Sequence, residues 1–434
     1  MFYAKIIHSG NEYMLYDAVT NQFYAIGPDF YNLLICDDER KKNIDKYNEM
    51  LREIGLRDLF IPVNHIYEWE SSDSEFFGMY EQNLSRMVLS VTEECNMRCS
   101  YCLYNFKYDN KFKRRSMKRE TAMDSLRYLI AHSDNNNSII LSFYGGEPLL
   151  QKKLIQECIT KAKSLSPEKT FTYSITTNGL LLSDENIFNF IVDNNIVVNF
   201  SLDGPKMIHD RYRFTVNGEG TYDQVIQNLV KLYAKQPDLV GVIAVAAPPV
   251  KKDALNDFFS NLPVSVKYSE FIANSEFDNH KHENKQETQV NEYGLSYKIT
   301  EYAKFHELIP LNDLNGTVPG GPCVLGISNL FVDVDGVFWV CEKADEDNPL
   351  FKIGNVTKGL DMSKIKKLRD AFMDEANKLC ANCWAIRFCG KCFIHIGDSS
   401  TYCAKQKKML AVQLSEYVNI ILKNDNLIHE LNSL

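Results

Sequence analysis

Three cysteines within eight positions are the first feature of this 434-residue sequence that could carry chemistry. The segment ECNMRCSYCLYN places Cys95, Cys99 and Cys102 on one short loop. A structural zinc ion needs a fourth cysteine or histidine, and the following segment LYNFKYDNKFK supplies neither. Three thiolates can instead bind three irons of a four-iron–four-sulfur cluster, which normally takes four cysteines. We therefore predict a [4Fe–4S] cluster whose fourth iron is open to a ligand from outside the protein.

Most of the other cysteines lie near the C-terminus. The chain has 12 cysteines, and this second group consists of Cys323, Cys341, Cys380, Cys383, Cys389, Cys392 and Cys403. In the segment CANCWAIRFCGKC only five residues separate two cysteine pairs, whereas a zinc ribbon uses about 15 to 20. This spacing favours iron–sulfur ligands. Cys36 and Cys158 stand alone in apolar segments, which predicts inert buried packing for both.

Composition narrows the class of protein. The formal net charge of −9 leaves no basic surface for nucleic acid, and 45% hydrophobic with 24% charged residues is typical of a globular protein. The N-terminus alternates apolar and polar residues, unlike a signal peptide. The longest apolar run, which starts at Leu239, is shorter than the roughly 20 residues that span a membrane. We expect a cytoplasmic protein with neither a membrane nor a nucleic acid as a partner.

From Arg86 onward, apolar β-rich runs alternate with helical patterns. The predicted strands are RMVLSVT, SIILSFYG, TFTYSITT, IVVNFSLD, LVGVIAVAA and PVSVKYSEFI. Alternating strands and helices predict an α/β fold with a parallel sheet, here a partial (β/α)6 TIM-like barrel. The first cysteine loop follows RMVLSVT directly, so it lies at the C-terminal edge of the sheet, where such folds place their chemistry.

We predict three domains, over residues 1–85, 86–310 and 311–434. The first is an α+β module with strands in YAKIIHS, EYMLYDA and QFYAIG and helices around residues 29–35 and 40–54. The acidic, serine-rich segment EWESSDSEFFGMYEQN is predicted as a linker. The basic run KFKRRSMKRE is interpreted as a solvated helix start, in preference to a contact for an acidic peptide or a cofactor.

The motifs at successive strand ends resemble those of radical S-adenosylmethionine (SAM) enzymes. Their CxxxCxxC signature has an aromatic residue before the last cysteine, and Tyr101 has that position here. Further matching marks are Gly145-Gly146-Glu147-Pro148, Thr177-Asn178-Gly179, Ser201-Leu202-Asp203-Gly204 and Arg213 in HDRYRF. The resemblance implies that SAM chelates the open iron through its amino and carboxylate groups and is cleaved to a 5′-deoxyadenosyl radical.

The same resemblance implies individual roles. The residues Cys95, Cys99 and Cys102 would be catalytic cluster ligands. Glycines in the GGEP motif permit close approach to the methionyl amino group, and Arg213 would bind the methionyl carboxylate. Asn178 and Ser201 would lie near the ribose and carboxylate. The full cofactor-binding set is Tyr101, Gly145, Gly146, Glu147, Pro148, Asn178, Ser201, Asp203 and Arg213.

The second cysteine group resembles the SPASM domain, a C-terminal extension of radical SAM enzymes with two auxiliary [4Fe–4S] clusters. The segment DVDGVFWVCEKAD is predicted as a hairpin with Gly336 at its turn and Cys341 on the second strand. By resemblance, auxiliary cluster I takes Cys323, Cys341 and Cys392, and auxiliary cluster II takes Cys380, Cys383, Cys389 and Cys403. One departure is the two residues, where the family has three, before Cys392. We predict that cluster I has an open iron, in preference to a distant ligand such as Cys158.

The N-terminal module resembles the winged-helix-like peptide-recognition element of maturases of ribosomally synthesised peptides (RiPPs), including those that form streptide-type or thioether cross-links. In these, an edge strand and a helix clamp the leader of a precursor peptide. The resemblance implies an oxidoreductase that abstracts a hydrogen from a precursor peptide and installs an intramolecular carbon–carbon or thioether cross-link, with three [4Fe–4S] clusters and a reductant such as flavodoxin or ferredoxin. The alternatives are a sulfatase-maturating (formylglycine-generating) enzyme, an electron-transfer protein and a zinc-binding adaptor.

Overall fold

The computed structural model describes residues 4–9, 12–19, 22–35, 44–53, 55, 72–102, 104, 114–245, 252–262, 264–269, 326–389, 392–397 and 399–422. The predictions for Cys36 and Cys323 concern residues outside these ranges. The chain divides into two compact units. One comprises Met1–Ser72, Glu292–Pro322 and Arg369–Leu434, and the other comprises Asp73–Asn291 and Cys323–Leu368.

The larger unit is built on a mixed, mainly parallel sheet. Its parallel strands follow one another in chain order: β4 Arg86–Thr92, β5 Ser138–Gly145, β6 Thr170–Thr177, β7 Val197–Ser201, β8 Val240–Val245 and β9 Ser265–Ser269. These are the predicted strands, and they are confirmed. Four more strands extend the sheet beyond β4: β10 Asn329–Val332, β11 Val337–Trp339, β12 Lys352–Asn355 and β13 Gly359–Leu360.

Helices connect the parallel strands, as the alternating pattern predicted. They are α4 Arg119–Ala131, α5 Lys152–Leu165, α6 Glu185–Asp193, α7 Lys206–Tyr212, α8 Tyr222–Lys235 and α9 Lys252–Ser260. A further helix, α3 Asp73–Gln82, precedes β4. Leu89, Phe143, Ile175 and Phe200 of the central strands are all buried. A sheet with helices between its parallel strands is buried on its faces, which explains the near-continuous apolar character of the strand sequences. The α/β class is therefore confirmed.

Two local predictions differ from the structure. The segment predicted as a linker contains α3, because Phe76 and Tyr80 are one turn apart and both are buried. The predicted hairpin is present as β10 and β11, with Gly336 at its turn in the left-handed region (φ +80°). Cys341, however, lies two residues beyond the end of β11. The pairing of β11 with β12 shifts register between Phe338 and Trp339, and the strand ends there.

The smaller unit contains an antiparallel sheet of three strands, β1 Ala4–Ser9, β2 Glu12–Asp17 and β3 Gln22–Ile26, in that order. The helices α1 Pro28–Ile35 and α2 Ile44–Glu53 follow, as predicted. The C-terminal helices are α10 Met362–Leu379, which ends in this unit, and α11 Ser399–Leu422. None of the described helices has the length and apolarity needed to cross a membrane.

The two faces of the small sheet have different partners. One face packs on α1 and α2 through Ala4, Leu15 and Ile26, which share a core with Leu34 and Leu51. The other face packs against the C-terminal part of the chain, and its buried cluster comprises Ile7, Met14, Tyr16, Ala18, Met373, Ala376, Cys380, Ile386, Leu414 and Val418. The alternation of side chains along each strand sends neighbouring residues to opposite faces, so both cores form from one short sheet.

Candidate active site

The first cysteine loop is held along the segment that follows α7. The amide of Arg98 donates to the carbonyl of Phe214 (2.8 Å), and the amide of Ser100 donates to that of Tyr212 (3.0 Å). Met97 and Thr215 form an antiparallel bridge between the same segments. These contacts fix the backbone between Cys95 and Cys102 although the loop contains no regular secondary structure.

The start of the loop is anchored by Glu93 and Arg115. The Glu93 carboxylate accepts hydrogen bonds from Nη2 (2.6 Å) and the backbone amide (3.1 Å) of Arg115, and the Glu93 amide donates to the Arg115 carbonyl (2.8 Å). The guanidinium also pairs with Asp335, and the hydrogen bond with Glu93 raises the pKa of Arg115. Arg115 comes from the basic run interpreted as a solvated helix start; its side chain is half exposed and also pairs with these two carboxylates.

Gly145 and Gly146 lie directly against the backbone that leads into the cysteine loop. A Cβ on Gly145 would be 2.1 Å from the Thr92 carbonyl oxygen, and one on Gly146 would be 2.4 Å from that of Glu94. Gly145 also has a φ of +131°, which favours glycine. The Gly146 amide donates to the Thr92 carbonyl at 2.8 Å. The absence of side chains therefore brings the end of β5 into hydrogen-bonding contact with the residues before Cys95.

Glu147 is fully buried and joins the ends of β5 and β6. Its carboxylate accepts hydrogen bonds from the Thr177 hydroxyl (2.8 Å), the Asn178 amide (2.9 Å) and the Leu149 amide (3.0 Å). Burial raises the pKa of Glu147 to about 7, and these donors oppose the shift because they stabilise the charged form. Pro148, also buried, begins the 3₁₀ turn Pro148–Gln151 that Glu147 caps.

Asn178 links this network to the first cysteine. Its Nδ2 donates to Asn96 Oδ1 at 2.8 Å and lies 3.8 Å from Cys95 Sγ, and its Oδ1 accepts from the Leu180 amide at 3.1 Å. The Met97 amide also donates to Cys95 Sγ, at 3.4 Å. Two N–H groups thus point at the Cys95 sulfur, an arrangement that stabilises a thiolate.

Asp203 is the second buried carboxylate of the site. It accepts from Tyr101 OH (2.5 Å), from Arg213 Nε (2.8 Å) and Nη2 (3.2 Å), and from the Val245 amide (2.9 Å). Asp203 is fully buried and Arg213 is 8% exposed. The guanidinium also lies 5.3 Å from the centre of the Tyr101 ring. These contacts join the ends of β7 and β8 to the cysteine loop.

Arg213 also faces a cysteine. Its Nη1 lies 3.9 Å from Cys99 Sγ, and its positive charge lowers the pKa of that thiol. Burial is the larger effect and raises the pKa of Cys99 to about 12 and that of Cys95 to about 11. Buried thiolates therefore require additional positive charge close by, which iron ions supply.

His209 supports this arrangement and was not among the predicted site residues, although it lies in the HDRYRF segment. It is fully buried, its Nδ1 accepts from the Asp203 amide at 3.3 Å, and its Nε2 lies 3.0 Å from Thr221 Oγ1. Burial, with the nearby Arg213 charge, lowers the pKa of His209 to about 4, so the ring is neutral at pH 7. A neutral ring that accepts at Nδ1 carries its proton on Nε2 and donates it to Thr221.

Tyr144, the residue before the double glycine, is a further buried group that was not predicted. Burial, together with the neighbouring Cys102, Glu342 and Cys341, raises the pKa of Tyr144 to about 12. One phenol therefore interacts with the first cysteine loop and with Cys341. The Cys341 thiol donates to Glu342 Oε2 at 3.3 Å, and Glu342 pairs with Arg86 at 3.8 Å.

The structure brings the predicted SAM-site residues to one edge of the sheet. Four adjacent, parallel strands contribute to this edge. The cysteine loop follows β4, Gly145–Pro148 lie at the end of β5, Asn178 follows β6, and Ser201 and Asp203 lie at the end of β7. Ser201 is half-buried as the last residue of β7.

Within the described residues, no cysteine, histidine or carboxylate groups converge as ligands of one metal ion. A [4Fe–4S] cluster makes a different demand, because each thiolate binds its own iron and the sulfurs surround the cluster. The loop of Cys95, Cys99 and Cys102 fits that demand.

The second cysteine group is distributed over both units. Cys341 belongs to the larger unit, whereas Cys380, Cys383, Cys389, Cys392 and Cys403 belong to the smaller one. Burial raises the pKa of Cys383, and Lys407 of α11 opposes the shift through its charge and a hydrogen bond. Cys158, the alternative to an open iron in cluster I, is buried in α5, and burial raises its pKa to about 12.

The sequence of this chain is similar to that of known proteins over the region that contains the site. Residues 89–260 match the profile of the Radical SAM superfamily. The cysteine-type anaerobic sulfatase-maturating enzyme of Clostridium novyi is 30% identical over 34% of this chain and 40% of its own length. The radical SAM cyclopropyl synthase TigE of Paramaledivibacter caminithermalis is 26% identical over 46% of this chain and 43% of its own length. The chain thus spans about two fifths of the length of these curated relatives.

The fold comparison extends further along the chain. The structure of native anSMEcpe with bound AdoMet and Kp18Cys peptide has a TM-score of 0.60 with 19% identity, and the match covers 78% of this chain and 99% of that one. The fold is therefore shared well beyond residues 89–260. Residues 89–260, which include the three-cysteine loop, are therefore similar to the Radical SAM superfamily. Among the similar curated proteins are cysteine-type and serine-type anaerobic sulfatase-maturating enzymes.

Proposed function

We propose that this chain is a radical SAM maturase that modifies a ribosomally made peptide. One observation carries the proposal: the Cys95–Cys102 loop lies beside Asn178 and Arg213, at the carboxyl ends of adjacent parallel strands. The proposed architecture is a partial (β/α)6 barrel with a winged-helix-like N-terminal module and a C-terminal SPASM domain. The domains are the predicted ones, at residues 1–85, 86–310 and 311–434.

When bound, the cluster and SAM supply a 5′-deoxyadenosyl radical that removes a hydrogen atom from the substrate. Cys95, Cys99 and Cys102 bind the cluster. The close-packed Gly145 and Gly146 hold the loop at a fixed distance from β5, because any side chain there would push it away. Arg213 compensates negative charge at the loop, and Asp203 keeps its guanidinium oriented. Burial of these groups keeps water out and strengthens their electrostatic interactions.

The remaining predicted cysteines bind two auxiliary clusters in this proposal. Cluster I takes Cys323, Cys341 and Cys392, and cluster II takes Cys380, Cys383, Cys389 and Cys403. A flavodoxin or ferredoxin supplies the electron that is needed for SAM cleavage, and the auxiliary clusters would accept the electron that the substrate radical loses, with a proton, when the cross-link forms. The substrate is a precursor peptide with a leader, and the product carries an intramolecular carbon–carbon or thioether cross-link. Support for a peptide substrate comes from the similar sulfatase-maturating enzymes, whose name gives a protein as substrate, and from the structure of anSMEcpe, which holds a Kp18Cys peptide.

The first experiment tests SAM cleavage. Anaerobic protein with reconstituted iron and sulfide is incubated with SAM and dithionite, and 5′-deoxyadenosine is quantified by liquid chromatography. We expect its formation in the full-length chain and its loss in Cys95→Ala, Cys99→Ala and Cys102→Ala. If a protein that retains its iron forms no 5′-deoxyadenosine, the proposed function is wrong.

A sulfatase-maturating enzyme is a second candidate, because two similar curated proteins carry that name. Peptide mass alone does not separate the two, since oxidation of serine to formylglycine and formation of a cross-link both remove two hydrogen atoms. Formylglycine is an aldehyde and reacts with a hydrazide probe, whereas a carbon–carbon or thioether cross-link does not. Hydrazide labelling of the modified peptide would favour the second candidate.

Deletion of residues 1–80 is not a clean way to separate the candidates. Ile7, Met14 and Tyr16 share a core with Leu414 and Val418 in the smaller unit. Their removal would expose the apolar face of the cysteine-rich segment and destabilise it independently of peptide binding. Point substitutions on the surface of the full-length chain avoid this effect.

A further inference from the structure

A groove of about 480 Å³ lies in the smaller unit between the edge strand β1 and helix α11. From β1 it is lined by Lys5, Ile6, Ile7 and His8, and from the C-terminal segment by Trp384, Lys407, Lys408, Ala411, Val412 and Ser415. The two walls are almost 400 positions apart in sequence. The predicted SAM site contributes none of these residues.

One wall of the groove is a strand edge. In the order β1-β2-β3, the strand β1 pairs with β2 on one side, and within the described residues no strand pairs with its other side. Every second residue of an edge strand directs its N–H and C=O groups away from its partner strand. Such an edge can pair with an added extended segment, and the groove beside it can receive the side chains of that segment.

The charge of the groove differs from that of the protein. The chain has a formal net charge of −9, but the described residues that line the groove include three lysines and no aspartate or glutamate. Lys5 lies 5.5 Å from the centre of the Trp384 ring, which holds its ammonium group on this side of the sheet. Lys408 is exposed on α11. A local positive charge on an acidic protein selects a negatively charged partner.

The groove also touches the second cysteine group. Lys407 lines it and hydrogen-bonds to Cys383, and Trp384 is the residue that follows Cys383. A segment bound here would therefore lie against the residues that we assign to auxiliary cluster II.

We propose that the groove between β1 and α11 binds an acidic peptide segment in an extended conformation, as an added strand on β1. The segment belongs to the peptide substrate, so the naming of the partner rests on the proposed function. The helical wall comes from α11 and not from residues 1–85, where the sequence predicted the whole peptide clamp. Carboxylates of the segment pair with Lys5 and Lys408 on the face of the sheet that carries Trp384, and the alternate apolar residues lie on the opposite face, on the side of Ile6.

Fluorescence anisotropy with two labelled probes tests the charge requirement. One probe is a peptide of alternating glutamate and valine, and the other alternates lysine and valine. We expect the full-length chain to bind the acidic probe only, and Lys408→Glu to weaken that binding about tenfold at low salt. Lys405→Glu is the matched control, because Lys405 is exposed on the same helix but does not line the groove. Equal affinity of the wild-type chain and the Lys408→Glu variant for the acidic probe would overturn the proposal.

A third probe tests the strand pairing. Methylation of alternate backbone nitrogens of the acidic probe removes the N–H groups that would bond to β1 but retains the charges. We expect this probe to lose most of its affinity, and the unmodified probe to protect amides of β1 from hydrogen exchange. Unchanged affinity of the methylated probe, or no protection of β1, would contradict the extended binding mode.

Two other occupants give different results. If the groove is an interface between copies of this chain, Lys408→Glu changes the oligomeric state in size-exclusion chromatography and leaves probe affinity unchanged. If it receives an acidic electron donor, the same variant slows cluster reduction by flavodoxin and leaves probe affinity unchanged. Either result overturns the proposal. A chain that binds the acidic probe but forms no 5′-deoxyadenosine refutes the proposed function and leaves the groove assignment standing.

Discussion

Asp203 and Arg213 form a buried, two-point ion pair, with Nε 2.8 Å from Oδ2 and Nη2 3.2 Å from Oδ1. The remaining guanidinium nitrogen, Nη1, lies 3.9 Å from Cys99 Sγ. The ion pair therefore connects the C-terminal end of β7, where Asp203 lies, to the cysteine loop. Removal of either side chain would leave the other as an uncompensated buried charge, so each stabilises the other in its buried position.

Asp203→Asn should destabilise the chain strongly. The substitution keeps the shape of the side chain but leaves the Arg213 charge buried without a counter-charge, which costs about 3 kcal/mol of unfolding free energy. Urea denaturation followed by circular dichroism measures the change. Asp223→Asn is the control, since Asp223 pairs with Lys206 on the exposed surface and should leave the urea midpoint unchanged. Equal midpoints for Asp203→Asn and the wild-type chain would mean that the buried pair contributes nothing to stability.

Gly146→Ala should displace the cysteine loop. The added methyl group would be 2.4 Å from the Glu94 carbonyl oxygen and 2.8 Å from that of Glu93, and both are backbone atoms. We expect a stability loss of about 1–3 kcal/mol and the loss of the electron paramagnetic resonance signal of the SAM-binding cluster.

Gly78→Ala serves as the control for this substitution. Gly78 lies in α3 with no atom within 4 Å of a Cβ, so alanine should stabilise the chain by about 0.5–1 kcal/mol. If Gly146→Ala keeps the cluster signal, close contact between Gly146 and the loop is not needed for cluster binding.

Cys158→Ala should leave every cluster intact. Cys158 is fully buried in α5 beside Leu154, Ile155 and Ile159, and burial holds its thiol in the protonated form. We expect unchanged iron counts and Mössbauer spectra, with a stability loss of about 1 kcal/mol from the vacated volume. Loss of one cluster in this variant would instead make Cys158 the distant ligand of auxiliary cluster I.

His209 should make the stability pH-dependent on the acid side. Its pKa falls from 6.5 to about 4 on folding, so the unfolded chain binds a proton that the folded chain does not between these values. The stability contribution is fully present above about pH 6.5 and decreases by a few kcal/mol as the pH falls to 4. Urea midpoints between pH 4 and 7 measure this slope.

His209→Gln separates His209 from the other titrating groups. Glutamine can still accept from the Asp203 amide and donate to Thr221, but it does not titrate. We expect a flatter acid limb for this variant than for the wild-type chain. Identical slopes would assign the pH dependence to other groups.

Much of the larger unit follows from the local sequence. Apolar β-rich runs such as RMVLSVT become buried parallel strands, because burial on both faces imposes a continuous apolar run. Motifs at consecutive strand ends must meet at one edge of a parallel sheet, so the neighbourhood of the Cys95 loop, Glu147, Asn178 and Asp203 was predictable. The α3 helix was missed because serines and acidic residues surround its two buried aromatic side chains.

The sequence by itself determined the strand and helix order, the parallel sheet and the three-cysteine loop, since each depends on spacing within a short segment. Only the tertiary structure decided that Arg115 and Gly146 anchor that loop, and that His209 and Tyr144 border it. It also decided that the Arg387 guanidinium bonds to the carbonyl of Ala18, 369 positions away, and that β1 and α11 enclose a groove. Hydrophobic burial is non-directional, so an apolar face shows that it needs a partner without showing which one. Hydrogen bonds between loops depend on atomic positions that no sequence period encodes.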